Sequence, residues 1–500
     1  MRIAFVANLG LSDVAVNVGS DLSPFFTSLG REEPRRLLLH FLGLEGDAGA
    51  REAGRVLLQR YEELRSRITL PLLDPSLREV RRHAGRAPDR LVLVATDQPD
   101  PDHRKWDTLE LAKVCERWLR DHGYESADIQ IAYVQFNPSS NDRAGPYMEK
   151  LLRNLRREGF TSIYAAIRGG PPALVGALRE QAVNVLGAHA YLIEVDERPW
   201  PVHAAGQPGP VRLLSSWPFR RPQVSRMVEA LLDRHDYPGA LQLMQREQCL
   251  TPAAGAALRY ALNRLNLAFQ DARDHARALP EGHPLRGLLE ELPDRTSPGM
   301  LQEVVVAARV AYDRNDWSGF VVRVASFCEY TRWLVVYLAT GVELDQEGRL
   351  SEETLRDLNK RIPRLREVVP SDARLDRKFY HEVFTALKQE GGAQAERIAA
   401  IERVLAPLRS LEKLRHQTVH RLRGISEDEL RGHMAKALKR NPQAVLESAA
   451  TEVLQHLRAL PQEPQPRTPR HSPQEVYQRI REFVLAEIEG REEVLPCAAS

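Results

Sequence analysis

Apolar and polar positions follow a repeating pattern along the first two hundred residues. Short apolar runs, such as Arg2 to Ala7 (RIAFVA), each end in a polar or glycine-rich turn, and stretches with helical spacing lie between them. Such runs are typical of strands buried on both faces, and their alternation with helices predicts a parallel, doubly wound sheet. We predict strands at Arg2–Ala7, Leu91–Ala95, Ile129–Phe136, Ser162–Ile167 and Ala190–Val195, a mostly helical region over 31–82, and helices at Trp106–His122, Tyr147–Glu158 and Ala173–Leu186.

The pattern changes after a segment with six prolines between residues 199 and 222. Helical periodicity then dominates, and Pro461–Pro473 has the composition of a stiff linker. We predict helices at Val224–Arg234, Ala253–Ala278, Leu301–Tyr312, Ser318–Thr340 and Glu352–Leu365, around Arg415, from Asn441–Pro442 to about Leu460, and near Glu475–Glu489. The predicted fold class is therefore α/β plus all-α. A Rossmann-like domain covers 1–200, a junction and helical linker region 201–299, a helical domain 300–460, and a proline-rich linker with a terminal helix 461–500.

Composition limits the possible partners. The 70 basic and 68 acidic residues nearly cancel, so nucleic acid would have to bind at local patches. The four cysteines lie far apart, so neither a zinc site nor a disulfide framework is predicted. No apolar run is long enough to span a membrane, and residues 1–10 lead straight into a strand. We expect a cytoplasmic, reduced protein.

Polar loops leave the carboxyl ends of four predicted strands, where open parallel sheets bind ligands. The loops are Asn8–Asp13, Thr96–Gln98, Asn137–Asn141 and Arg168–Pro172. In the last of these loops, Gly169 and Gly170 would let backbone N–H groups approach an anion closely, next to a helix N-terminus. The dinucleotide fingerprint G-x-G-x-x-G is absent, which excludes a standard nicotinamide site. The alternative for each loop is an ordinary turn. A separate segment, Arg81 to His83, has the pattern of a basic surface loop. The candidate ligand-binding residues are Asn8, Leu9, Gly10, Thr96, Asp97, Gln98, Asn137, Arg168, Gly169, Gly170 and Pro171.

A second candidate site lies on the segment Leu411 to Ser426 (LEKLRHQTVHRLRGIS). Pro407 suits the first turn of a helix, and Leu408, Leu411, Leu414, Thr418 and Leu422 recur at helical spacing, which predicts one buried face. Gly424 would end the helix, and Ser426 with Glu429 would cap the next one. The helix carries Arg415 and His420 in an R-x4-H arrangement.

The R-x4-H spacing is not rare in this arginine-rich chain, because four other histidines also follow an arginine by five residues. A solvated basic helix face is therefore the alternative interpretation. Residues five apart on a helix lie roughly 140° apart around its axis. The Arg415 and His420 side chains would converge only where the helix frays, or where two copies face each other across a symmetry axis.

These two residue types fit cleavage of RNA. A histidine exchanges protons near neutral pH, and an arginine holds two phosphate oxygens with parallel donors. Paired acidic residues and cysteine clusters at metal-ligand spacing are lacking around Arg415 and His420. The RNA 2′-hydroxyl is then the readiest nucleophile. Glu329 and Arg332, on an otherwise apolar predicted helix, would either orient this site or form a salt bridge.

The combination resembles a known family architecture. The first half resembles a CARF domain, the Rossmann-like module of CRISPR-associated proteins, in Leu93 to Gln98 with Asp107-Thr108, in Asn137-Pro138, and in Arg168 to Leu174 (RGGPPAL). The helical half resembles a HEPN ribonuclease domain, whose R-x4-6-H motif matches Arg415 to His420. Many HEPN domains have asparagine directly after the arginine, where this chain has His416, so His416 is a possible supporting residue.

The resemblance implies an accessory endoribonuclease of type III CRISPR antiviral defence. It implies a homodimer that binds cyclic oligoadenylate, either cyclic tetra- or hexa-adenylate, in the CARF crevice. The paired HEPN domains would then cut single-stranded RNA with no metal or other cofactor, using Arg415 and His420. Two other functions stay open: a ligand-sensing transcription regulator, and a ring nuclease that degrades cyclic oligoadenylate in the CARF crevice.

Overall fold

The computed structural model describes residues 2–17, 34–44, 48–196, 209–344, 350–370, 374–421, 424–438, 441–460 and 469–490. Their contacts group residues 2–224 and 246–248 into one compact unit, here called the sheet unit. Residues 225–245 and 249–490 form a second one, here called the helical unit.

The sheet unit is built on six strands in the order β5-β4-β1-β6-β7-β8. The first five are parallel to their neighbours, and β8 runs antiparallel to β7. All five predicted strands are confirmed. The strands are β1 (Arg2–Asn8), β4 (Arg90–Thr96), β5 (Asp128–Val134), β6 (Phe160–Ala166), β7 (Ala190–Val195) and β8 (Val211–Ser215), and a separate ribbon pairs β2 (Ala15–Val16) with β3 (Ile68–Thr69).

Alternate residues of β1 belong to two different cores. Ile3, Phe5 and Ala7 pack on one face with the helices at Ala50–Gln59, Leu73–Ala84 and Leu109–Asp121. Ala4 and Val6 pack on the other face with the helices at Asn141–Arg157 and Pro172–Leu186. This two-sided burial explains why the strand is a continuous apolar run. The helices are α1 (Pro34–Phe41), α2 (Ala50–Gln59), α3 (Tyr61–Leu64), α4 (Leu73–Ala84), α5 (Pro101–Arg104), α6 (Leu109–Asp121), α7 (Asn141–Arg157) and α8 (Pro172–Leu186).

Two local predictions for the sheet unit are wrong. Arg81 to His83 form the last turn of α4 rather than a loop, and the helix ends at Gly85, whose φ of 74° suits a glycine. Strand β8 lies in the segment that the prolines marked as a junction. This strand is only five residues long and directly follows Pro210, so the local composition gives no clear strand signal. Its pairing with β7 decides its structure.

In the chain from Trp217 onward, every described element with regular structure is helical. The single predicted helix over Ala253–Ala278 is wrong, because the chain breaks at Leu267, which has a φ of 61°. The remaining predicted helices are present. The elements are α9 (Trp217–Asp233), α10 (Tyr237–Arg246), α11 (Pro252–Leu265), α12 (Phe269–Arg277), α13 (Arg286–Glu290), α14 (Gly299–Asp313), α15 (Trp317–Thr340), α16 (Glu352–Arg361), α17 (Arg377–Gln389), α18 (Gly392–Leu405), α19 (Arg409–Arg421), α20 (Glu427–Leu438), α21 (Pro442–Arg458) and α22 (Pro473–Glu489).

A buried ion pair joins two helices of this unit. Arg264 on α11 is fully buried and donates to both carboxylate oxygens of Glu303 on α14, at 2.5 to 3.2 Å, and to the Tyr260 hydroxyl at 2.8 Å. Because both charges are desolvated, each depends on the other. Within the described residues, no helix is long and apolar enough to cross a membrane.

Candidate functional site

The strand order creates a switch point between β1 and β6. From β1 the chain moves outward to β4 and β5 on one side, and from β6 it continues to β7 and β8 on the other. The connecting helices therefore leave toward opposite faces, and a crevice opens at the carboxyl ends of these two strands, where open α/β sheets bind their ligands. The first and the last of the four predicted loops flank this crevice.

These two loops fit tightly against each other. A Cβ atom added to Gly10 would lie 2.7 Å from the backbone nitrogen of Gly170. One added to Gly169 would lie 2.6 Å from a carboxylate oxygen of Asp13, and one added to Gly170 would lie 2.9 Å from the Cβ of Asn8. Gly169 and Gly170 also have φ values of 86° and 77°, which side chains disfavour. The three glycines are thus required for the loops to meet.

Two polar side chains are buried where the loops meet. Asn8 is fully buried, and neither atom of its carboxamide has a hydrogen-bond partner in the protein. Asp13 is 1% exposed; one of its oxygens accepts the Gly10 N–H at 2.7 Å, and the other has no partner. Burial raises the pKa of Asp13 from 3.8 to about 7, and the Gly10 hydrogen bond offsets only part of this effect. Unpartnered buried polar groups cost stability, which is typical of a ligand site.

The loop after β4 is held by its own hydrogen bonds. Thr96 and Thr108 exchange backbone-to-hydroxyl bonds of 3.0 Å in both directions. The backbone and side-chain N–H groups of Gln98 donate to Asp107 at 2.8 and 3.0 Å. Arg51 on α2 bridges the carboxylates of Asp97 and Asp107. This loop therefore lies at the end of β4, the strand beside β1, and hydrogen bonds and ion pairs within the protein already involve most of its polar groups.

The remaining candidates occupy different places along the sheet edge. Leu9 is buried and donates its N–H to Val94, and Pro171 is the N-cap residue of α8. Arg168 is 3.1 Å from Glu194 at the end of β7. Asn137 is exposed beyond β5, the edge strand, and accepts the Ser139 N–H at 3.0 Å in a turn. The structure brings Asn8 to Gly10 together with Gly169 to Pro171, and leaves Asn137 two strands away from β1.

Sequence reasoning missed two residues of this region as functional candidates. Asp13 closes the β1 loop that was predicted, but its burial depends on the loop after β6. Arg51 lies in a helix 46 residues before its partner Asp97, and no local spacing links them. Only the packing of α2 against this edge shows its contribution.

In the helical unit, the predicted helix around Arg415 is confirmed as α19. Leu408, Leu411 and Leu414 are buried, and Pro407 lies in the short turn directly before the helix. The backbone is helical through Arg421, so positions 415 and 420 lie roughly 140° apart around the axis. The side chains of His416 and His420, and residues 422 and 423, lie outside the described residues. Ser426 accepts the Glu429 N–H at 3.2 Å, as predicted for a cap.

Two ion pairs tie α19 to α15. Arg415 is 3.3 Å from Glu329, and Arg332 donates to Glu412 at 2.7 Å. Arg332 and Glu412 are largely buried, whereas Arg415 and Glu329 are 38% and 55% exposed. The two acidic–basic pairs thus hold the helix in place and leave the Arg415 guanidinium partly exposed at its edge, with its Nε atom buried and without a hydrogen-bond partner. Among the described residues, no group of three or more His, Cys, Asp or Glu side chains is placed to hold a metal ion.

Sheet topology and helical content together define the architecture. A Rossmann-like sheet with a crevice at its switch point, followed along the chain by a helical domain that carries Arg415, has the architecture of a CARF domain followed by a HEPN domain. This confirms the fold that the sequence resemblance predicted.

The comparisons with known proteins agree with this fold. No protein-family model matches the chain, and no curated protein matches its sequence. Among solved structures, it is similar to Enterococcus italicus Csm6 bound to cyclic hexa-2'-fluoro-hexa-dAMP. The TM-score is 0.55 with 15% identity, and the match covers 98% of this chain and 99% of that chain. The likeness therefore extends over both units, and at this identity it establishes the fold.

Proposed function

We propose that this chain is an endoribonuclease of type III CRISPR antiviral defence that cyclic oligoadenylate activates and that cleaves single-stranded RNA without a metal ion. The observation that carries the proposal is the fold shared over 98% of the chain with a Csm6 solved with a cyclic hexa-adenylate analogue. The crevice at the switch point supports the proposal, because buried polar atoms of Asn8 and Asp13 there have no hydrogen-bond partner in the protein.

The activator binds in this crevice. Backbone N–H groups of the Gly169-Gly170 loop approach its phosphates, and the N-terminus of α8 adds a favourable dipole. Asn8 offers both a donor and an acceptor, which suits the edge of an adenine or a ribose hydroxyl. A homodimer would pair two crevices around a ring that itself has two-fold symmetry.

The reaction takes place at α19. Arg415 holds non-bridging phosphate oxygens and stabilises the charge that develops on phosphorus. His420 exchanges a proton with the 2′-hydroxyl or the leaving oxygen. Because positions 415 and 420 lie on different sides of one helix, a site that uses both needs two copies of α19 facing each other. Glu329 pairs with Arg415 until phosphate replaces it.

The central experiment measures cleavage of labelled single-stranded RNA with and without cyclic tetra- and hexa-adenylate. We expect one ring to stimulate cleavage, and Arg415→Ala and His420→Ala each to reduce it by at least about 10²-fold, the lower end of the usual range for losing an electrostatic or acid–base group. Arg431→Ala is the matched control, since Arg431 is an exposed arginine paired with Glu427 on the neighbouring helix α20. Cleavage near the parent rate in either variant would remove the assignment.

The same assay separates the alternatives. Loss of the ring over time would indicate ring nuclease activity in the crevice. Ring-dependent binding to duplex DNA without RNA cleavage would indicate a transcription regulator. Light scattering of the ring-bound protein should give the mass of a dimer, and an active monomer would contradict the composite site.

The mechanism predicts the products. Cleavage should persist in excess EDTA and leave a 2′,3′-cyclic phosphate, and a 2′-deoxy nucleotide at the cleaved position should block it, because the nucleophile is then missing. Mass spectrometry of the fragments identifies the ends. Activity that disappears with EDTA, or 3′-hydroxyl ends, would require a different mechanism.

A further inference from the structure

A basic cavity of about 510 Å³ lies in the helical unit among helices α15, α17, α18 and α19. Four of the residues that line it are cationic: Arg332, Arg377, Lys378 and Arg409. Its volume is in the usual range for ligand sites. The cavity shares α19 with Arg415, and Arg332, which lines it, belongs to the ion pairs that hold this helix.

The cations of this cavity exceed the acidic groups available to them. Glu402 is the one carboxylate among the lining residues, and Lys388 on α17 binds it at 2.5 Å. Arg332 is engaged by Glu412. Lys378 is an exposed side chain whose partner, Glu382, is 3.9 Å away. The cavity thus carries a positive charge that its own carboxylates do not balance.

Arg377 and Arg409 carry most of this surplus. Both side chains are exposed, and within the described part of the chain no carboxylate lies within ion-pair distance of either one. They come from the first residues of two different helices, α17 and α19. Arginines held in this way at the mouth of a cavity are suited to bind phosphate with two parallel hydrogen bonds each.

The inner wall of the cavity is aromatic. Tyr380 and Phe384 lie one turn apart on α17 and are almost completely buried. Burial raises the pKa of Tyr380 to about 12, so its hydroxyl stays protonated and can donate a hydrogen bond. A cavity with guanidinium groups at the mouth and a rigid, neutral wall is suited to an anion with an apolar ring, as in a nucleotide.

The cavity is connected to the candidate catalytic residue along one helix. Arg409, Glu412 and Arg415 follow each other at spacings of three, which makes them neighbours on the surface of α19. Arg332, which lines the cavity, is the partner of Glu412 in this row. Arg409 precedes Arg415 by six residues, or about 9 Å along the helix. A strand held at the cavity would therefore pass toward Arg415.

From this geometry we propose that the cavity binds the backbone of the single-stranded RNA substrate beside the bond that is cut, with Arg377 and Arg409 on its phosphates. The inference rests on the proposed function and adds a substrate-binding site to it. Contacts to phosphate position a strand and carry no sequence information, so the site would strengthen binding equally for all RNA sequences.

The test is the salt dependence of RNA binding. The ring-bound full-length protein is titrated into a fluorescent single-stranded RNA with 2′-O-methyl groups throughout, which blocks the nucleophile, and anisotropy gives Kd at several salt concentrations. For single strands, log K falls as log salt rises, and the magnitude of this slope is smaller by about 0.7 for each phosphate contact that is lost. The double variant R377Q/R409Q should therefore reduce the magnitude of the slope by about 1.4 and weaken binding at least about tenfold at low salt.

Two variants serve as controls. R356Q/R361Q removes two exposed arginines of α16 in the same unit, outside the cavity, and should leave slope and Kd near the parent values. R377K/R409K keeps both charges and should retain the slope. A change seen only in R377Q/R409Q is then due to the lost charges and not to misfolding. With cleavable RNA, R377Q/R409Q should raise KM more than it lowers kcat.

The outcomes distinguish the two proposals. If the parent cleaves RNA and R377Q/R409Q binds it with an unchanged slope, the cavity is not a substrate site and the proposed function stands. If the ring-bound parent neither binds nor cleaves single-stranded RNA, both proposals fail together. If R356Q/R361Q reduces the magnitude of the slope as much as R377Q/R409Q does, the cavity assignment is also overturned. The reduction would then come from the loss of positive charge anywhere on the unit.

Discussion

Two buried polar clusters, one in each unit, have opposite surroundings. In the sheet unit, the carboxamide of Asn8 and one oxygen of Asp13 are buried without a partner at the switch point. In the helical unit, Arg264 and Glu303 are just as deeply buried, and their charges are paired with each other and with Tyr260. A paired group stabilises its surroundings only while the partner is present, whereas an unpaired one keeps a free-energy cost that a ligand can remove. The comparison therefore separates a structural polar cluster from a candidate binding site.

The largest effect should come from breaking the paired cluster. Glu303→Gln leaves the buried Arg264 without its counter-ion, so we expect the free energy of unfolding to fall by about 3–5 kcal/mol. Urea denaturation measures it. The control is Glu290→Gln in the exposed Arg286–Glu290 pair, which should change stability by less than about 1 kcal/mol. Equal effects of both variants would mean that burial does not distinguish these pairs.

The next prediction concerns Asp13 and pH. Its pKa in the folded protein is about 7, above its ordinary 3.8, so the folded state binds the extra proton between these values. The contribution of Asp13 to the free energy of unfolding is fully present below about pH 4. It is lost as the pH rises toward 7, by up to about 1.4 kcal/mol per pH unit. Asp13→Asn, which cannot ionise, should gain stability relative to the parent over this range. A difference between variant and parent that is constant with pH would show that Asp13 does not titrate there.

A third prediction tests the close contact between the loops. Gly170→Ala adds a Cβ 2.9 Å from Asn8 at a φ of 77°, which costs about 1–2 kcal/mol in backbone strain alone. We expect cyclic oligoadenylate to bind at least about tenfold more weakly, by calorimetry. Gly176→Ala on α8 is the matched control, because a Cβ there meets open space, and it should retain the affinity. Unchanged ring affinity in Gly170→Ala would place the ligand away from this loop.

The smallest effect on stability should come from Asn8. Asn8→Leu replaces an unpartnered carboxamide by an apolar group of similar size, so the free energy of unfolding should change by no more than about 1 kcal/mol or should rise. Ring affinity should nevertheless fall, because two hydrogen-bonding atoms are lost. A large loss of stability would instead mean that the Asn8 carboxamide supports the fold, and the contrast with Arg264 would disappear.

Local pattern was sufficient for much of this protein. The buried strands, the glycine loop after β6, the apolar face of α19 and the cap at Ser426 each depend on residues within a few turns of each other. Their periodicity and turn chemistry are therefore visible in the sequence. The break at Leu267 and the strand β8 have no strong local signal in the sequence. Pairing with β7 decides β8, and the break at Leu267 is a turn closed by local hydrogen bonds.

The sequence by itself determined which elements form and which loops leave the strands at one edge, because hydrophobic spacing and glycine positions act locally. Tertiary structure decided which of these loops meet. The strand order puts β1 beside β6, which buries Asn8 and Asp13 against Gly169 and Gly170, separates Asn137 from them, and brings Arg51 to Asp97. It also gathers Arg377 and Arg409 at one cavity from separate helices. Burial, pairing and pKa depend on neighbours that are far apart in sequence, so only the folded chain fixes them.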